Sequence, residues 1–292
     1  MIDFSDDAPI LVFGGPYSNV RATRAMRRRA LDLGIPSERT ICTGDVVAYC
    51  AEPAETVREI RDWGIHVVAG NCEESLANDL GDCGCNFDEG SACNRLAKSW
   101  FEYASQRIGR ADRDWMRALP TALRFSYAGL SFKVVHGGNA GISRWVFASM
   151  TDVLAEETAL SASDITIAGH CGVPFVAEGH GCTWFNPGVV GMPANDGTPD
   201  AWYGLVSSTR DGVHLTTHRL TYDHAAASRS LLAAGFADPY ARALVSGLWP
   251  SLDVLPDVER AATGRALTDI DLRVTKAPRS GRQTGAPSVA AE

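Results

Sequence analysis

Short apolar runs that stop at glycine and a polar residue set the rhythm of the chain. Pro9-Ile-Leu-Val-Phe13 ends at Gly14-Gly15-Pro16, which predicts a buried strand entering a loop. Ser18 or Asn19 is placed to cap a helix reaching about Leu33, with Arg24, Arg27, Arg28 and Arg29 on a solvated face. Thr40-Ile-Cys-Thr43 then meets Gly44-Asp45, residues 56–63 read as helical, and residues 65–69 predict a strand closing at Gly70-Asn71. Helical spacing returns over 94–108 and 112–119. Residues 123–135 read as a hairpin leading into His136-Gly137-Gly138. A helix over 151–160 precedes a strand over 164–168 that ends at Gly169-His170. Strand pairs over 175–185 and 202–220 and helices over 224–234 and 238–247 follow.

Strands alternating with helices, with polar residues where apolar runs stop, predict an α/β protein with site residues at strand C-terminal ends. The hairpins of the second half point to two mixed sheets rather than one doubly wound sheet. Residues 1–275 are expected to form one domain, with residues 78–120 as a helical region. From residue 276 the chain is Pro, Arg, Ser, Gly and Ala without periodicity, which predicts a disordered tail over 276–292.

Composition narrows the function classes. The 292 residues are 45% hydrophobic and 21% charged, as expected of a folded globular chain. Lys and Arg number 27 against 35 Asp and Glu, so the net charge of −8 argues against duplex nucleic acid as a partner. No run approaches the ~18 apolar residues of a membrane span, so no membrane partner is expected. The acidic stretch Met1–Asp7 lacks the pattern of a secretory signal, so a cytoplasmic protein is expected, with its eight cysteines as thiols or metal ligands. Neither GxxxxGK[ST] nor GxGxxG is present.

Four strand-end loops carry the candidate chemistry: Gly44-Asp45, Gly70-Asn71-Cys72-Glu73, His136-Gly137 and Gly169-His170. Asp, Asn and two His supply oxygen and nitrogen ligands suited to Mn, Fe or Zn. The glycines let the backbone turn sharply beside an ion. In this order, together with Thr43-Gly-Asp-Val-Val-Ala-Tyr49, Val67-Val-Ala-Gly-Asn-Cys72, Val134-Val-His-Gly137 and Asn186-Pro-Gly-Val-Val-Gly-Met-Pro193, the chain resembles the calcineurin-like metallophosphoesterase superfamily over residues 10–250. It looks most like the small bacterial branch of diadenosine-tetraphosphatase and phosphodiesterase-like proteins.

The resemblance implies a four-layer αββα sandwich in which two metal ions activate a bridging hydroxide. It maps one ion's ligands onto Asp45, Asn71, His136 and His170. The other ion's ligands are missing. Gly15 and Tyr17 stand where the family has Asp and His, and Gly172 stands where it has the second His of Gly-His-x-His. One Mn, Fe or Zn ion is therefore expected, or a second ion held differently.

Tyr17 is placed either to ligate such an ion as a phenolate or, as the favoured reading, to pack over the vacated site or meet substrate. Asn19 and Cys72 are candidate substrate-positioning or catalytic residues, Cys72 standing where the family usually has His. Cys83, Cys85 and Cys93 form the best candidate for a second metal or a redox group. Within the family the segment that holds them begins the cap region beside the metals. Arg21, Arg144, Asn139 and the amides opening the first long helix are weaker candidates for holding phosphate. Asn186-Pro187-Gly188 corresponds to the turn that closes the family's site, with Val189 in place of its Ser. The activity expected is hydrolysis of a small phosphodiester or phosphomonoester. The alternative is a metal- or ligand-binding protein, or a mononuclear iron enzyme of different chemistry, on the same fold.

Overall fold

The computed structural model describes residues 2–4, 6–235 and 238–276. The tail expected over 276–292 lies, apart from Lys276, outside the described residues.

The first half is β1 (Ile2–Asp3), β2 (Ile10–Phe13), α1 (Val20–Asp32), β3 (Thr40–Cys42), α2 (Pro53–Trp63), β4 (His66–Val67), α3 (Asn71–Ala77), α4 (Ala92–Ser105) and α5 (Arg110–Arg117). The second half is β5 (Ala122–Tyr127), β6 (Leu130–Val135), α6 (Thr151–Ser161), β7 (Ile165–Ile167), β8 (Phe175–Gly179), β9 (Cys182–Asn186), β10 (Ala201–Thr209), β11 (Gly212–Leu220), α7 (His224–Ala234), α8 (Asp238–Ser246), α9 (Asp257–Ala261) and β12 (Asp271–Thr275).

Two sheets form, ordered β1-β5-β6-β7-β9-β8 and β12-β11-β10-β2-β3-β4. Both are mixed, as the combination of crossovers and hairpins predicts: β2, β3 and β4 run parallel, whereas β10 pairs antiparallel with β2. In the other sheet β6, β7 and β9 run parallel and β5 joins β6 as a hairpin. Fully buried strands read as near-continuous apolar runs, and β2 is buried at all four residues.

Alternation along the strands divides the core into three layers. Val12, Ile41, Val206 and Leu215 of one sheet meet Phe132, Val134, Ile167 and Phe185 of the other between the two sheets. Leu11 and Phe13 face the opposite way, toward Met26 and Ala30 of α1 and Val57 and Ile60 of α2. Val135 and Trp184 pack outward beside Leu154 of α6. This is the αββα sandwich.

Three details differ from expectation. Residues 71–77 are a helix rather than a loop continuation. The helices expected over 94–108 and 112–119 begin two residues earlier. Finally, β12 adds an edge strand just before the tail, pairing with β11.

Candidate metal centre

Asp45 follows β3, Asn71 opens α3 just after β4, His136 follows β6 and His170 follows β7, so each sheet contributes two residues. All four are buried. His136 Nε2 lies 3.0 Å from Asn71 Oδ1, 3.1 Å from His170 Nδ1 and 3.3 Å from Asp45 Oδ2. Asp45, His136 and His170 form the one His/Cys/Asp/Glu group among the described residues with ligand atoms all within 4.8 Å of one another.

Close backbone approach builds this convergence. A Cβ on Gly70 would fall 2.2 Å from Asp45 Oδ1, and one on Gly44 would fall 2.9 Å from His136 Nδ1. Asp45 and His170 themselves sit at φ 55 and φ 60. Strained left-handed backbone of this kind concentrates at functional sites.

The sequence model of the calcineurin-like phosphoesterase superfamily domain matches residues 18–210. The chain belongs to the calcineurin-like phosphoesterase superfamily. No curated protein matches it. Among solved structures it is similar in fold to a metallophosphoesterase from Sphaerobacter thermophilus, with TM-score 0.64 and 21% identity over 83% of this chain and 100% of that one. It is also similar to a hypothetical protein from Pyrococcus horikoshii, with TM-score 0.70 and 16% identity over 82% of this chain and 99% of that one.

The donor set fits the divalent metal ion that the superfamily implies. His136 Nδ1 lies 2.6 Å from the Thr43 carbonyl, which only accepts, so Nδ1 carries a proton and a neutral ring turns its Nε2 lone pair to the cluster. Asn71 Nδ2 donates to the Cys83 carbonyl at 2.8 Å, which fixes Oδ1 toward the same point. A carboxylate oxygen, a carboxamide oxygen and two ring nitrogens therefore converge in a buried space that calls for a cation or a proton. Burial pushes the His136 pKa down, but the Asp45 carboxylate beside it prevails and raises it. Burial pushes Asp45 up, and the two histidines more than reverse this. Burial and the neighbouring His136 bring His170 down to about 3, so it is held neutral.

Glu73 supports the site from below. Its carboxylate accepts the backbone N–H groups of Asp45 at 2.7 Å, Gly70 at 2.9 Å and Val47 at 3.2 Å. It stands at the third position of α3, the spacing of a capping glutamate, a signal the sequence carried without marking its role.

The structure disposes of the other expected residues differently. Tyr17 is buried, and its ring stands over Gly15, where a Cβ would meet Cζ at 2.4 Å. Burial, with Asp45 and nearby thiols adding to it, raises its hydroxyl well above the usual range. Asn19 caps α1: Oδ1 accepts from Ala22 N, and Nδ2 donates to the Gly191 carbonyl and Tyr222 hydroxyl. Cys72 donates its backbone N–H to Asp45 Oδ1 at 3.2 Å, while burial raises its thiol well above the usual range. Cys83 and Cys85 bring their sulfurs to 2.6 Å, and Cys85 accepts from Asn71 Nδ2 at 3.2 Å. Cys93 does not complete a three-cysteine metal group with them; its backbone N–H meets Asp253 instead.

Of the expected phosphate contacts, Arg21 has its Nε buried without a hydrogen-bond partner, and the others are engaged within the chain. Arg144 pairs with Glu156, and Asn139 Nδ2 donates to the Glu157 carbonyl. The amides of Tyr17, Ser18 and Asn19 are taken by the carbonyls of Asp45, Val46 and Pro16. Asn186 does tie the Gly188 turn to the site, accepting from Gly188 N and donating to the Gly169 carbonyl.

Beside the cluster opens a cleft of about 70 Å³ that is continuous with solvent. His170 forms part of its wall, with Tyr17, Tyr240, Trp145 and Trp249 among its neighbours. His170 Nε2 is buried without a hydrogen-bond partner. The two tryptophans gave no signal in the sequence, because only folding brings residues 145 and 249 to His170.

Proposed function

We propose that this chain is a phosphoesterase that works with one divalent transition-metal ion (Mn, Fe or Zn) held by Asp45, Asn71, His136 and His170, and that a second ion has no full ligand set. The observation that supports this is the convergence of the four donor atoms on one point, with His136 Nε2 3.0–3.3 Å from the other three. An ion bound there supplies Lewis-acid activation of water and of a phosphoryl oxygen.

The chain's own groups divide the remaining work. Thr43 and Glu73 fix His136 and the Asp45 loop through hydrogen bonds. With an ion at Nδ1 of His170, the ring proton would sit on Nε2, a buried atom without a hydrogen-bond partner beside the cleft. Cys72 is not among the residues that line the cleft.

We place residues 1–275 in a single catalytic unit with residues 78–120 as its cap. The eight unpaired cysteines support a reducing, cytoplasmic setting. The small bacterial phosphodiesterase-like branch is the family position this reading favours. A second reading, a ligand-binding protein without turnover, is favoured by one observation: aromatic rings fill the space of the other ion's ligands.

Elemental analysis of protein purified without added metal, followed by assay on bis(4-nitrophenyl) phosphate, separates the readings. The expected result is about one ion per chain, with Asp45→Ala and His136→Ala losing both the ion and at least roughly 100-fold in turnover. One ion without turnover selects the binding protein. Two ions per chain overturn the ligand set.

A further inference from the structure

Two rings occupy the ground of the missing ligands. Tyr17 stands over Gly15, and the edge of Trp249 lies 3.4 Å from where a Cβ on Gly172 would be. Gly15 and Gly172 are the positions where the family pattern carries ligands to the other ion. The same two rings line the cleft beside His170, together with Tyr240, Phe87 and Trp145. The tryptophans are fixed in place, Trp145 Nε1 donating to the Cys85 carbonyl at 3.1 Å and Trp249 Nε1 to the Pro193 carbonyl at 2.7 Å. Among the described residues, no Lys, Arg, Asp or Glu lines this cleft.

We propose that the cleft receives an ester arm of the substrate, and that the substrate class is a singly charged phosphodiester bearing a planar aromatic arm. The assignment rests on the phosphoesterase reading. The phosphoryl group lies at the ligand cluster and His170, and the arm stacks against Trp249, Tyr240 and Phe87.

Charge and shape support it. One divalent ion beside Asp45 leaves about one positive charge facing the cleft, while Glu73 is turned to backbone amides. A diester monoanion balances that charge. A phosphomonoester dianion or a polyphosphate brings further negative charge into a wall without a cationic side chain, and burying unpaired charge is costly. Aromatic walls with few polar groups are the usual lining of small-molecule pockets, and offset ring pairs add to burial. The unpartnered His170 Nε2 supplies a donor where the arm joins the phosphoryl group. Hydrolysis then balances simply: water oxygen forms the new P–O bond, the bond to the ester oxygen breaks with its electron pair on that oxygen, and the water proton passes to solvent.

The test is calorimetric binding to the zinc-loaded protein of diphenyl phosphate, dimethyl phosphate, phenyl phosphate and inorganic phosphate. Diphenyl phosphate is expected to bind at least roughly tenfold more tightly than dimethyl phosphate, which has the same charge and no ring, and more tightly than either dianion. Trp249→Ala and Phe87→Ala, both at half-buried rim positions, should each weaken diphenyl phosphate by several-fold while leaving dimethyl phosphate and zinc content unchanged. Equal binding of the two diesters, or preference for inorganic phosphate, overturns the proposal. The parent reading fails separately. If Asp45→Ala loses no affinity for any of these phosphates, the cluster is not the phosphoryl site, whatever the preference for rings.

Discussion

Glu73 is wholly buried, and burial together with the neighbouring Asp45 charge raises its pKa to about 7, against the pull of its amide donors and His136. In the unfolded chain it titrates near about 4.3. Between these values the folded protein holds a proton that the unfolded chain has released. The stability this group contributes is therefore complete below the unfolded value and is lost as the pH rises through about 7. The slope is at most one proton, about 1.4 kcal/mol per pH unit. His170, lowered to about 3, acts oppositely: its contribution is complete above its ordinary range and is lost on acidification. Comparing Glu73→Gln with the parent cancels the His170 contribution. In metal-free protein, urea denaturation between about pH 5 and about pH 8 should show the parent losing stability relative to the variant as the pH rises. Parallel curves would mean that Glu73 stays ionised throughout. The four cluster residues were legible because ligand type, order and strand-end position all survive in the chain. Trp249 was not, since its role depends on contact across nearly eighty residues from Gly172.

Elements were legible wherever an apolar run was long or a cap was explicit. Asn19 was readable as a cap of α1, and its side chain does accept from Ala22 N. Its buried carboxamide also bridges to the Gly191 carbonyl and the Tyr222 hydroxyl, which lie far along the chain and left no local mark. Asn19→Ala removes a cap worth about 1 kcal/mol and strands buried polar partners at about 1–3 kcal/mol. It should therefore cost roughly 2–4 kcal/mol in a denaturant melt with the metal content unchanged. Loss of metal at intact stability would instead return Asn19 to the site. The helix α3 escaped notice because Gly70-Asn71-Cys72 reads as a loop, and propensity is a weak guide in seven residues, of which Asn71, Glu73 and Ser75 are buried polar side chains. The strand β12 escaped because every second residue along it is exposed and its pairing with β11 supplies the order.

Taken whole, the molecule places its candidate metal ligands across the seam between two sheets. Asp45 and Asn71 come from the β2-β3-β4 side, and His136 and His170 from the β6-β7 side. Beneath them the sheets meet through apolar side chains such as Val12, Ile41, Val134 and Ile167, with the Arg39–Asp6 pair at the edge of that layer against Phe4 and Tyr127. An ion held by both pairs would tie the sheets at the end where the apolar layer stops and the polar loops begin. Unfolding separates the pairs and dissolves the site, so binding free energy appears as folding free energy. At a free-ion concentration about one hundred times the dissociation constant, the gain is about 2.7 kcal/mol. For a chain of this size that raises the melting temperature by several degrees. Thermal melts of chelator-treated protein titrated with Mn or Zn should therefore show a midpoint that climbs with ion concentration. Asp45→Ala, on one sheet, and His170→Ala, on the other, should each flatten that dependence. If only one of the two variants flattens it, the ion is held within a single sheet and the two-sheet assignment fails.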